Sequence, residues 1–102
     1  MKSTPGVEGS TDGKGAAARF YGLNGITLDR MGNVYVTEIP NHTIRKITPE
    51  GVVSTVVGVA GQAGDQRGAL PGLIAYPFGI AIFGRTLYFA SNDYVFVVYN
   101  LP

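Results

Sequence analysis

The chain has 102 residues, enough for one domain near the lower end of the size that a single core sustains. Apolar residues make up 45% and charged residues 15%, the formal charge is +1, and cysteine is absent. Disulfides, thiolate catalysis and cysteine-based zinc sites are therefore excluded. The basic residues are scattered, with only Arg45 and Lys46 adjacent. The basic stripe with which nucleic-acid binders neutralise phosphates is missing, which speaks against a nucleic-acid partner. No run of about 18 apolar residues occurs, so no membrane span is expected. The opening "MKSTPGVEGSTDG" lacks the apolar stretch of a secretory signal. The default location is the cytoplasm.

In chain order, "GKGAAARF" is the one stretch of helical composition, and it is too short to hold a helix alone. Beyond it the chain turns to short β-rich runs: Gly25 to Asp29, Asn33 to Glu38, Thr43 to Thr48 and Val52 to Gly58. Between them stand "RMGN", "IPNH" and "PEG", with Gly, Pro or Asn where tight turns need them. Connections this short predict an antiparallel meander.

The pattern then restarts. "FGIAIF" answers "NGITLD", with Gly79 on Gly25, and "RTLYFAS" answers "GNVYVTE", with Tyr88 on Tyr35. "YVFVVYNLP" takes the place of "HTIRKITPE". Upstream, "ARFYGLNGI" corresponds to "GLIAYPFGI", and "GSTDGKGAA" loosely to "GQAGDQRGA". Arg19 and Phe20 are set against Ile74-Ala75-Tyr76, which keep an aromatic and lose the arginine. The chain is thus an internal repeat of about 53 residues, the signature of a repeat architecture. The second copy stops after its third strand. "KSTPGVEGSTDG" aligns with "VSTVVGVAGQAGD", so residues near Ser3 and Thr4 are expected to supply the missing strand at a sheet edge, where Pro5 is tolerated.

The stretch "DGKGAAARF…NGITLDRMGNVYVTEIPNHTIRKITPEGVVSTVVG", with Asn41, His42, Ile44 and Lys46, resembles the NHL-repeat family of β-propellers. The likeness is strong in the first copy and weaker in the second, where Ser91 stands at the place of Glu38. It implies an all-β fold of propeller blades, each a four-stranded antiparallel meander. Blade 1 covers about 24–58 and blade 2 about 78–102, completed by an N-terminal strand near 2–7. Glycines ahead of each first strand (Gly25, Gly79) are expected where backbones approach closely.

Two blades cannot close a ring, and each would leave a lateral face bare. Bare apolar faces of that size are not tolerated by soluble monomers. The expected partner is the chain itself: a homo-oligomer, with three copies of two blades closing a six-bladed ring by threefold symmetry. The alternative is a fragment of a longer propeller.

The resemblance implies a binding or interaction module with an unknown protein or small-molecule ligand, taken up by the long loops at the ring end. The candidate binding residues there are Asp12, Lys14, Arg19, Tyr21, Asp65 and Arg67. The competing reading, a metal-dependent propeller lyase or hydrolase, needs histidines or carboxylates that converge on the axis. His42 is the one histidine and belongs to a turn motif, where it is expected to orient the turn. Asp12, Asp29, Glu38 and Asp65 lack the alternation of a calcium loop and read as turn residues that bond nearby N–H groups. Neither a catalytic residue nor a cofactor is assigned, and the residues do not support a calcium or other metal ion. "GKGAAA" formally matches a dinucleotide-binding pattern but follows no strand.

Overall fold

A computed structural model describes residues 9–15, 18–64, 70–91 and 94–101. Its strands are β1 (Gly13–Lys14), β2 (Leu23–Leu28), β3 (Val34–Glu38), β4 (Thr43–Ile47), β5 (Val52–Val57), β6 (Pro77–Phe83), β7 (Thr86–Ser91) and β8 (Tyr94–Val98). They form two antiparallel sheets, ordered β1-β5-β4-β3-β2 and β6-β7-β8. The fold is all-β, built of propeller-type blades that do not by themselves close a ring. No helix among the described residues is long and apolar enough to cross a membrane. The expected strand at Ser3 and Thr4 lies outside the described residues.

The turns are set by their residues. Asp29 accepts the N–H groups of Met31 and Asn33 and so folds the β2–β3 hairpin. Gly51 takes a φ of 82°, which closes the β4–β5 turn after Pro49 and Glu50.

The repeat is visible in the register. In the first sheet Leu23 pairs with Glu38, a bulge intervenes, and Ile26, Thr27 and Leu28 face Val36, Tyr35 and Val34. In the second, Pro77 pairs with Ser91, a bulge intervenes, and Ile80, Ala81 and Ile82 face Phe89, Tyr88 and Leu87. Each of these β2–β3 pairs thus has its counterpart in β6–β7, bulge included. The sequence alignment of Gly25 with Gly79 and Tyr35 with Tyr88 is the structural one.

The upstream segments need one correction. Gly9 donates its N–H to the carbonyl of Phe20, and Gly64 donates to that of Ile74. Gly22 and Tyr76 both hold positive φ, at 68° and 48°. The counterpart of Phe20 is therefore Ile74, and Tyr76 stands at the place of Gly22. The alignment of "ARFYGLNGI" with "GLIAYPFGI" is thus the structural one, and what changes is the pairing of Arg19 and Phe20 with Ile74-Ala75-Tyr76: the aromatic Tyr76 is not the counterpart of Phe20.

A second correction concerns β1. "GKGAAA" reads as plain loop, yet Gly13 and Lys14 pair with Val53 and Val52. The first blade carries a fifth, two-residue strand on the edge expected to be open. Gly13 and Lys14 join the sheet through their backbone, which is why no strand pattern marks them.

The blades pack face to face. Tyr35, Ile44 and Val57 of the first sheet meet Leu87 and Phe89 of the second in one buried cluster, with Ile80, Ile82, Phe96 and Val98 packed against it. Each such side chain contributes about 1.5–3 kcal/mol on burial. Thr37 stitches the junction: its Oγ1 accepts the Gly25 N–H at 2.7 Å and donates to the Phe78 carbonyl at 2.9 Å. A Cβ on Gly25 would lie 2.6 Å from that carbonyl oxygen, so close approach does require glycine there. At Gly79 nothing lies within 4 Å of such a Cβ.

Candidate functional site

One end of the blade pair gathers the β3–β4 turn and the segments that enter each blade. Its centre is a buried ion pair. Glu38, last residue of β3, and Arg45 in β4 meet at 2.9 Å, and neither side chain is exposed. The Glu38 carboxylate also accepts the Tyr21 N–H at 2.7 Å, the Thr43 hydroxyl at 2.9 Å and the Asn41 amide at 3.3 Å. Arg45 donates to the carbonyls of Arg19 and Thr11, pairs with Asp12 at 3.1 Å, and lies over the Phe20 ring at 4.9 Å. Only its Nε lacks a partner among the described residues.

A carboxylate saturated by four donors has no lone pair to offer a ligand. The cluster clasps segment 9–21 onto the first blade, as a buried pair with satisfied hydrogen bonds can. The sequence reads Glu38 as a turn residue; it does accept a backbone N–H, but from within a strand and under full burial.

The predicted binding residues divide accordingly. Asp12 is committed to Arg45 and to the Thr55 hydroxyl. Arg19 donates from its guanidinium to the Ala18 carbonyl and gives its own carbonyl to Arg45. Lys14 is exposed on the outer sheet edge, opposite Val52. Tyr21 presents its ring to solvent while its backbone is fixed by Glu38. Asp65 and Arg67 lie outside the described residues. Sequence reasoning misses Arg45, which holds Asp12 and Arg19 and through Glu38 is joined to Tyr21. The signal for it is an acid and a base seven residues apart on the two strands of one hairpin.

His42 belongs to the same end. Its backbone holds φ at 58°, its Nδ1 accepts the Tyr76 N–H at 3.0 Å, and the two rings meet edge-on at 4.6 Å. It positions the entry to the second blade. Tyr94, opposite Ser91 at the matching end of the second sheet, is exposed too. Tyr21, Tyr76 and Tyr94, at 42%, 48% and 67% exposure, give this end an aromatic rim. Among the described residues no group of three or more His, Cys, Asp or Glu side chains could hold a metal ion.

At the opposite end, Asp29 accepts the Tyr35 hydroxyl at 3.2 Å and the Asn33 amide at 2.9 Å. Burial pushes the Asp29 carboxyl up, but the hydrogen bonds from Asn33, Met31 and Tyr35 outweigh it and hold the carboxyl below its ordinary value. The Tyr35 hydroxyl is pushed up to about 12 by burial, reinforced by the Asp29 charge and the bond to it.

No family model matches the chain, and no curated protein does. Solved structures do. A protein of unknown function from Bacteroides thetaiotaomicron VPI-5482 superposes with a TM-score of 0.81 and 28% identity, over 89% of this chain and 24% of that one. An auxiliary nutrient binding protein from the same organism superposes with a TM-score of 0.80 and 20% identity, over 97% of this chain and 28% of that one. The chain therefore spans about a quarter of the length of each. Both are similar to it in fold.

Proposed function

We propose that the chain is a two-blade unit of an NHL-type β-propeller. It acts as a binding module, assembles with copies of itself into a ring, and presents its aromatic rim to a ligand at one ring end. The observation that carries this reading is the pair of faces left bare. Ile26 and Leu28 are exposed on one side of the first blade, whereas their counterparts Ile80 and Ile82 pack against a neighbouring blade. Tyr88, Val95 and Val97 are exposed on the far side of the second, whereas Tyr35 and Ile44, the counterparts of Tyr88 and Val95, are buried. Each bare face matches the one that the internal junction covers, and a head-to-tail repeat of that junction closes a ring when its rotation divides a full turn. Three chains would give six blades.

A ligand at the rim is supported by the exposed tyrosines, which combine an apolar ring with a polar tip. It is also supported by likeness to a solved structure described as a nutrient binding protein. The residues toward a ligand are Tyr21, Tyr76 and Tyr94; Asp12 and Arg19 hold the rim in place.

Light scattering after size exclusion tests the assembly. A mass about three times the 10.8 kDa of one chain is expected. A monodisperse monomer with a sharp unfolding transition overturns the ring.

A further inference from the structure

A cavity of about 290 Å³ opens at the end of the blade pair opposite the rim, inside the internal junction. Asp29, Tyr35 and Lys46 line it from the first blade, Arg85 and Leu101 from the second. The volume stands near the lower bound of about 300 Å³ for small-molecule sites.

The repeat shows that the scaffold does not require the charges found here. Lys46 stands opposite Tyr35 across β3 and β4, and in the second blade Val97 stands opposite Tyr88. Asp29 follows Leu28 at the end of β2, and Phe83 follows Ile82 in β6. The tyrosine is kept, while valine and phenylalanine take the places of the lysine and the aspartate. Blade architecture thus accepts apolar side chains at both positions.

The lining divides into groups already engaged and groups still open to a ligand. Each oxygen of the Asp29 carboxylate accepts two hydrogen bonds, one from the N–H groups of Met31 and Asn33, the other from the Asn33 amide and the Tyr35 hydroxyl. In the second blade, Arg85 donates from Nε to the Leu101 carbonyl at 2.8 Å, and the Leu101 N–H donates back to the Arg85 carbonyl at 2.9 Å. That double contact ties the guanidinium to the wall formed by Leu101. Its Nη1 and Nη2 make no hydrogen bond among the described residues.

Two cations, Lys46 and Arg85, thus face one anion across the cavity. The planar fork of an arginine matches a carboxylate in a two-point contact, and a lysine beside it adds point charge. The single excess charge suits a monoanion. A zwitterion is disfavoured, because its ammonium would find no lone pair left on Asp29. Met31 and the buried Leu101 supply apolar wall.

We infer that the junction cavity is a binding site for a small monocarboxylate, held by Arg85 and Lys46 through its carboxylate, with a short aliphatic chain against Met31 and Leu101. The site needs the two blades in contact but neither ring closure nor the tyrosine rim, so the mass measurement and a ligand titration can fail separately.

The probe is sodium hexanoate, titrated into the isotope-labelled full chain and followed by amide chemical shifts. Saturation at millimolar concentration is expected for so small a ligand, with the largest shifts at Asn33, Lys46, Gly84 and Arg85. Hexanamide, of the same shape without the charge, should not saturate. Arg85→Gln should weaken hexanoate binding by about tenfold or more. Arg85→Lys keeps the charge without the fork and should fall between that variant and the unaltered chain. Lys46→Val installs what the second blade carries opposite its tyrosine, and should weaken binding with the fold kept. Absence of saturation overturns the site. So do shifts concentrated at Tyr21, Tyr76 and Tyr94, equal binding by Arg85→Gln, or equal binding of hexanamide. Inorganic phosphate that binds more tightly than hexanoate overturns the carboxylate selectivity.

Discussion

Glu38 and Arg45 meet at 2.9 Å with neither side chain reaching solvent, and two segments distant in sequence depend on that contact. Removing Arg45 strands Glu38 as a buried, uncompensated charge, and removing Glu38 leaves buried Arg45 with only the half-exposed Asp12 as counter-charge. Glu38→Ala should cost about 3–5 kcal/mol of unfolding free energy. The double variant Glu38→Ser with Arg45→Phe installs what the second blade carries at these positions and should cost clearly less than Glu38→Ala alone. Urea denaturation of both single variants and the double variant gives the coupling. Additive losses would show that the pair does not act as a unit.

The matching glycines of β2 and β6, Gly25 and Gly79, should differ in their tolerance of alanine. Gly25→Ala drives a Cβ to within 2.6 Å of the Phe78 carbonyl, so the blades must part, at a cost of about 1–3 kcal/mol. Gly79→Ala meets open space, and the single chain should change by no more than about 0.5 kcal/mol. In an assembled ring Gly79 takes the role of Gly25. There Gly79→Ala should lower the midpoint of assembly in a dilution series while the folded chain keeps its circular dichroism.

Tyr35 is 2% exposed and its counterpart Tyr88 is 40% exposed. A charge on the second blade's far face should therefore separate folding from association. Val95→Glu places a carboxylate on a residue 70% exposed and should shift the unfolding free energy by about 0.5 kcal/mol or less. Self-association should be lost, with light scattering returning the mass of one chain. An unchanged oligomer mass would show that this face is not the contact.

Tyr35 and Asp29 make stability fall at both extremes of pH. The Tyr35 hydroxyl has its folded value raised to about 12, so its contribution is fully present below about pH 10 and is lost as pH rises toward 12. The Asp29 carboxyl has its folded value lowered, so its contribution is present above about pH 4 and is lost as pH falls through the folded value. In the native protein one of the six tyrosines should titrate after the exposed ones, followed by phenolate absorbance. Tyr35→Phe should remove that late step. Its persistence in the variant would assign it to another residue.

The strands were legible because their turn residues are strong and the second copy repeats the first. Offsets read from Gly25, Gly79, Tyr35 and Tyr88 coincide with the hydrogen-bonded register. β1 was not legible, since Gly13 and Lys14 pair through backbone and carry no apolar alternation. The Glu38–Arg45 clasp was half legible: an acid and a base stand on the two strands of one hairpin, but their burial depends on segment 9–21 folding back over them. The correspondence of Ile74 with Phe20 was legible in the aligned segments, whereas nothing in the sequence marks Tyr76 as taking the backbone role of a glycine.

The matched hydrogen bonds by which Gly9 and Gly64 bring the chain into each blade bear on growth by gene duplication. A tandem copy of the coding sequence would join the far face of one second blade to the near face of the next first blade. That junction would meet Tyr88 and Val95 with Ile26 and Leu28, side chains already of the kind that the existing junction buries. The new seam would lack one stitch, because Ala90 stands where Thr37 bridges the first pair. A lineage that lengthened its propeller this way would gain blades at once, and selection would act first on position 90.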